Sequence, residues 1–239
     1  MSSDSIILKG VNLNFPSEKG LLSSLKNLIS KSDDDFKALQ GIELKIKSGE
    51  VFGLIGKNGS GKSTILRIIA GIYAPDSGTC EVNGTTSLLA GIGTGFSQHQ
   101  TGVENALLYG SILGHSENDM RELLPEIIAF SELGDFINKP LRTYSAGMKA
   151  RLGLAVASAI CPDILLIDEV LGVGDPQFKE KSKARILELV EKTGTVVIVS
   201  HSFGLLTDIC NRIGVVHEGK LEMVGEPKEA IKVYYELTG

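Results

Sequence analysis

The run VFGLIGKNGSGKSTILRIIAGIY, residues 51–73, leaves the chain little freedom in how it folds. Its first six residues read as a buried strand, and Ile65, Leu66, Ile68, Ile69 and Ile72 recur at the spacing of a helix packed on a sheet. Between them, Gly56 to Ser63 match G-x-x-x-x-G-K-[ST], a pattern that carries its chemistry only between a strand and a helix. Glycines let backbone N–H groups curl around an anion, and the helix N-terminus adds the positive end of its dipole. Gly56, Asn58, Gly59, Ser60, Gly61 and Thr64 are therefore candidate phosphate contacts. Lys62 is placed to reach β- and γ-phosphates, and the Ser63 hydroxyl to ligate Mg²⁺. ATP and Mg²⁺ are the expected ligands.

The rest of the chain supplies a sheet for this turn. DILLIDEV (163–170) and TVVIVS (195–200) are short and continuously apolar, as central parallel strands tend to be, and QFKEKSKARILELVEK (177–192) has helical period. Strand, helix, strand, helix, strand implies an α/β fold of the P-loop NTPase kind, a mostly parallel sheet with flanking helices. IILKGVNLNF and IELKIKS alternate apolar and polar residues, so an N-terminal antiparallel β patch is expected. Between them, residues 16–35 put Leu21, Leu22, Leu25, Leu28 and Ile29 on one helical face, an amphipathic insertion. Residues 97–160 carry three helical patterns and few strand signals, which reads as an inserted helical subdomain. IGVVHEGKLEMVG is a hairpin-like pair and PKEAIKVYYEL a final helix. The expectation is one domain over 1–239, with its ATPase core in 1–96 and 161–239.

Composition narrows the partners. At 239 residues and 42% hydrophobic, the chain has material for a real core. A net charge of −5, with no basic cluster, excludes the electrostatic footprint of a nucleic-acid binder. No apolar run approaches the roughly 18 residues of a membrane span, and MSSDSIILKG lacks a signal pattern, so a soluble cytoplasmic chain is expected. Cys80, Cys161 and Cys210 lack metal-ligand spacing and read as reduced thiols.

Asp168 follows four apolar residues at the carboxyl end of a strand, where open α/β sheets bind ligands and an acid can hold Mg²⁺. Glu169 is placed to take a proton from water attacking the γ-phosphate; the bland reading is a solvated carboxylate. His201 ends the next strand and is either a γ-phosphate contact or a structural histidine.

TYSAGMKARL (143–152) is a second helix-opening turn of phosphate size. Ser145 can cap the helix and Gly147 permits close approach of the backbone to an anion. Either this is a plain N-cap, or it serves another nucleotide, since Gly56 to Ser63 already cradle one.

The order GKNGSGKST, YSAGM, ILLIDE, VGD, VSH resembles the nucleotide-binding subunit of an ATP-binding-cassette transporter and covers essentially the whole chain. The resemblance implies a head-to-tail homodimer on ATP binding, with Ser145 and Gly147 contacting γ-phosphate across the interface and Asp175 helping to join the sites. It also implies a separate integral membrane permease subunit that holds the chain at the cytoplasmic face of the inner membrane. YSAGM with its R-L helix, DEVLGVGD and EPKEAIKVYYEL look like the branch exporting polysaccharides, namely O-antigen, capsular polysaccharide and teichoic acid. A lipid-linked cell-surface polysaccharide, O-antigen foremost, is thus the implied substrate. In that branch the insertion at 16–35 resembles a helix beside the cytoplasmic mouth of the transport path; it is equally an ordinary surface hairpin. Some O-antigen exporters carry a further carbohydrate-binding domain, so the resemblance implies either a member without it or a shortened chain.

The pattern departs at three places. Neither Gln98 nor Gln100 falls at the position of the family's γ-phosphate-sensing glutamine. Ala146 and Met148 replace the usual glycine and glutamine of the signature. The aromatic that stacks on adenine is Phe15 by motif or Phe36 by distance to Lys62, and either is also acceptable as core. Competing functions are a drug or lipid exporter and a non-transport cassette ATPase acting on a soluble machine.

Overall fold

The computed structural model describes residues 3–16, 36–89, 95–160, 162–168 and 176–239. By compactness the chain divides into two units, Met1–Asn83 with Val199–Gly239, and Gly84–Ile198. The insertion read at 16–35 lies outside the described residues except for Pro16.

In the first unit, β1 (Asp4–Phe15) pairs antiparallel with β2 (Phe36–Lys47). Ile6, Leu8, Val11 and Leu13 face Ile42, Leu44 and Ile46 in the buried layer, which is the alternation the sequence announces. Near Gly10, at φ 59°, the register shifts between Leu8 and Val11, so the extra residue is absorbed as a bulge. A third strand, β4 (Ser77–Val82), pairs antiparallel with β1 on its other side. The same unit holds β3 (Val51–Ile55) parallel to β8 (Arg212–His217), with β9 (Lys220–Gly225) antiparallel to β8. Glu218 and Gly219 turn that hairpin with φ 46° and 79°, the left-handed pair that matches strand twist in a two-residue turn. Helix α1 (Lys62–Ile69) leaves β3 through the glycine-rich turn and buries Ile65, Leu66, Ile68 and Ile69. Helices α6 (Phe203–Ile209) and α7 (Pro227–Thr238) complete the unit, α7 opening on a proline whose missing N–H goes unneeded in a first turn.

In the second unit, β5 (Thr86–Leu89) runs parallel to β6 (Ile164–Asp168), and β7 (Thr195–Val199) ends at the unit boundary. Ile164 to Ile167 are fully buried, each contributing about 1.5–3 kcal/mol of transfer free energy. Among the described residues, the stretch between β5 and β6 holds the α-helices α2 (Gly102–Ile112), α3 (Glu117–Ser131) and α4 (Ala146–Ala159). Their starts are legible as caps. Thr101 and Glu104 form a reciprocal capping box, and Ser116 and Ser145 accept from the backbone three residues on. Helix α5 (Pro176–Lys192) follows β6. Among the described residues no helix is long and apolar enough to cross a membrane.

Candidate functional site

The strand–turn–helix of residues 51–69 builds a shaped loop. Lys57, Asn58 and Gly59 are exposed at its crown, while Gly56, Ser60 and Lys62 are buried. At Gly56 a Cβ would lie 2.2 Å from the Val216 carbonyl oxygen, so no side chain fits. Gly61 is the N-cap of α1 at φ 111°, a left-handed conformation that favours glycine. The loop therefore turns into α1 through positions where a Cβ is excluded or strained, and Ser60 N–H closes its tip by donating to Lys57 O at 3.1 Å. Lys62 Nζ donates to the carbonyls of Gly56 and Lys57, both at 2.8 Å, so the ammonium is aimed back across the loop. Ser63 and Thr64 stand half-buried in the first turn of α1. The buried Ser60 hydroxyl has no hydrogen-bond partner among the described residues. An orphaned buried hydroxyl inside a loop of N–H donors fits an oxygen-rich ligand.

Two supports hold this loop that the sequence motif does not contain. Gly219 N–H, at the β8–β9 tip, donates to Ser60 O at 3.0 Å, and Gln40 N–H donates to Gly219 O at 2.8 Å. Gln40 Nε2 donates to Glu218 O at 2.8 Å, so β2 braces the hairpin tip and the tip braces the loop. His201, also in this unit, is exposed just after β7. Phe15 and Phe36 are directly opposed across the β1–β2 ladder. Phe15 packs edge-on against Tyr73 at 5.7 Å, whereas Phe36 is 59% exposed.

The second unit places Asp168 half-buried at the carboxyl end of β6. Glu169 and Asp175 lie outside the described residues. In TYSAGMKARL, Ser145 is the N-cap of α4, its Oγ accepting from Met148 N–H at 3.1 Å. The cap uses the oxygen as an acceptor and leaves the hydroxyl proton as a donor. Tyr144 Oη donates to Phe136 O at 2.5 Å and fixes the approach to the turn. Among the described residues a Cβ built on Gly147 would meet only Ser145 Oγ, at 3.8 Å. Ser145, Gly147, Met148 and Arg151 line a surface hollow of about 580 Å³ together with Glu132, Leu133 and Phe136. Gln98 anchors the same region: its Oε1 accepts from Lys149 Nζ at 2.8 Å and its carbonyl from Arg142 N–H at 2.9 Å.

The family model described as ABC transporter matches residues 39–172. The chain belongs to the ABC transporter family. The O-antigen export system ATP-binding protein RfbB of Myxococcus xanthus is 42% identical over 98% of this chain and 56% of its own length. The ABC transporter protein AbcA of Aeromonas salmonicida is 38% identical over 99% of this chain and 78% of its own. The teichoic acids export ATP-binding protein TagH of Levilactobacillus brevis is 41% identical over 94% and 62%. The chain thus spans little more than half of RfbB and about three fifths of TagH. In fold it is similar to a dimeric ATP-binding cassette in a post-hydrolysis state bound to ADP and Pi, with TM-score 0.73 and 23% identity over 93% of this chain and 98% of that one. An ATP-binding subunit of an ABC transporter superposes with TM-score 0.76 at 20% identity, over 98% and 99%.

Within an ABC transporter chain, the donor set suits Mg²⁺. Taken separately, Ser63 in the first unit offers a hydroxyl and Asp168 in the second a carboxylate, both hard oxygens of the kind this ion takes, and it keeps few protein ligands beside phosphate and water. No cluster of three or more His, Cys, Asp or Glu stands ready for another metal among the described residues.

Proposed function

We propose that the chain hydrolyses ATP as the motor subunit of a transporter that exports a lipid-linked cell-surface polysaccharide, O-antigen foremost, through a separate membrane permease. The observation that carries the ATP reading is the loop itself, with buried Lys62 aimed back across a turn that admits no Cβ at Gly56 and takes a left-handed conformation at Gly61. In this reading the N–H groups of Gly59 to Thr64 and the Lys62 ammonium hold the β- and γ-phosphates, and Phe36, the more exposed of the opposed pair, stacks on adenine. Bound at Ser63 and Asp168, Mg²⁺ would neutralise charge on the phosphate oxygens. Glu169 accepts a proton from the water whose oxygen attacks the γ-phosphorus as the bond to the β–γ bridging oxygen breaks and ADP leaves with that electron pair, and His201 contacts the transferred group.

Ser145 and Gly147 serve the nucleotide of a second copy in a head-to-tail homodimer, which Asp175 helps to join. Among the described residues nothing crowds Gly147, which supports a glycine kept there for close approach of another group to the first turn of α4. Closure around ATP and reopening after hydrolysis drive the transport stroke at the cytoplasmic face of the inner membrane. Support for a polysaccharide cargo comes from relatives named for O-antigen export and teichoic acids export.

The test is the mass of the Glu169→Gln protein by light scattering with and without Mg-ATP, repeated with Gly147→Asp added. The expected result is an ATP-dependent dimer that the added carboxylate abolishes. A mass indifferent to ATP would reduce the α4 turn to a capped helix and refute the two-copy site.

A further inference from the structure

Helix α3 ends on a residue that pays for its conformation. Glu132 caps α3 at φ 54°, the left-handed region, where a residue with a Cβ carries about 1–2 kcal/mol of strain. Its carboxylate holds two cations on two other helices: Oε1 accepts from Lys181 Nζ on α5 at 2.5 Å and Oε2 from Arg151 Nη1 on α4 at 3.2 Å. Aromatic rings fix both cations. Arg151 lies 4.6 Å over Phe178, Lys181 lies 4.9 Å over Phe130, and the two rings pack 5.8 Å apart. Lys181 also donates to Phe130 O at 3.0 Å, and Arg185 extends the knot by donating to Ser158 O at 3.0 Å and to Glu126.

Stability does not account for Glu132. Its side chain is 48% exposed, and ion pairs at such sites contribute about 0–1 kcal/mol, no more than the backbone strain it carries. Position accounts for it better. Arg151 is six residues from Ser145 and shares the 580 Å³ hollow with Ser145, Gly147 and Glu132 itself. Lys181 sits on the helix that begins at Pro176, directly after the Glu169–Asp175 segment.

We propose that Glu132 is a positioning residue that locks the Ser145–Gly147 turn to the helix leaving the Glu169–Asp175 segment, so that both contributions to ATP hydrolysis move together. Its link to turnover rests on the hydrolysis reading given above; the mechanical link between α4 and α5 does not.

The test compares Glu132→Gly and Glu132→Gln with the wild type by hydrogen exchange, thermal melting and ATP-hydrolysis kinetics. Glycine relieves the strained backbone while removing the carboxylate, so a residue that merely ends α3 would give a more stable protein with wild-type exchange and turnover. The expected result is faster exchange in both 145–150 and 176–185, an unchanged or higher melting temperature, and kcat about tenfold lower at unchanged KM for ATP, within the range of couplings in shared networks. Glutamine should fall between. Wild-type exchange in either segment of the glycine variant, or wild-type kcat despite faster exchange, overturns the proposal. A wild-type protein that hydrolyses no ATP would refute the hydrolysis reading instead, and the exchange data would still decide whether Glu132 joins the two helices.

Discussion

Gly219, at the tip of the β8–β9 hairpin, donates its backbone N–H to the carbonyl of Ser60 at 3.0 Å, and so holds the phosphate loop from a point 159 residues away in sequence. The contact needs glycine. Gly219 has φ 79°, and a Cβ there would lie 2.8 Å from the Ala38 carbonyl oxygen. Gly219→Ala should therefore lower the melting temperature by roughly 3–8 °C, from about 1–2 kcal/mol of strain. It should also weaken ATP binding, measured calorimetrically, although no phosphate contact is removed. Unchanged affinity in a destabilised variant would separate the hairpin from the loop's function.

At Gly147 stability and function are expected to move in opposite directions. Alanine is the better helix former by about 0.5–1 kcal/mol, and space for its methyl group is open. Gly147→Ala should melt higher as a monomer, yet need more ATP to associate in the Glu169→Gln background. Association at wild-type ATP concentrations would show that nothing approaches the α4 turn closely.

Glu50 is 7% exposed and accepts from Arg212 Nε at 2.7 Å, Arg212 Nη2 at 3.0 Å and Lys47 N–H at 2.8 Å. Glu50→Ala leaves those donors short of their acceptor and should reduce the unfolding free energy by about 1–3 kcal/mol, discounted because Arg212 is partly exposed. Urea unfolding measures the loss. Turnover per folded molecule should be unaffected, and a fall in it would mean the pair reaches the ATP loop.

Burial pushes the Cys210 thiol up to about 12, from an ordinary value of 9.0. The folded state therefore keeps a proton that the unfolded state loses above pH 9. This contribution is fully present below that pH and declines as pH rises toward 12, by about 1.4 kcal/mol per unit. Denaturant titrations at several pH values should show that slope, and Cys210→Ala should flatten it. An identical slope in the variant would assign the alkaline loss to other groups.

The phosphate loop, the capped α4 turn and the alternating strands were legible in the sequence because each follows from local rules: a fixed motif, a serine before a helix, a period of two. β4 escaped that reading because Ser77, Gly78 and Thr79 are exposed and carry no apolar alternation. The Gly219–Ser60 brace is a contact between distant segments, and EG at 218–219 signals a tight turn without naming what it touches. Glu132 looks like any acid at a helix end; only its dihedral and its two partners mark it. The choice between Phe15 and Phe36 stayed open for a related reason. They are direct partners in one ladder, so their place in the sheet does not separate them; they differ in packing, with Tyr73 edge-on against Phe15 and Phe36 exposed.

Lys62 Nζ donates to two carbonyl oxygens of its own loop. With two carbonyl oxygens at 2.8 Å, its ammonium exchanges one set of oxygen ligands for another instead of stripping off bulk hydration. On the hydrolysis reading proposed above, its attraction for a nucleotide would be a difference between two good coordination shells, smaller than the bare charge suggests. The loop is thereby spared an unsolvated cation at its centre, and two of its own carbonyls stand where the oxygens of a phosphate would.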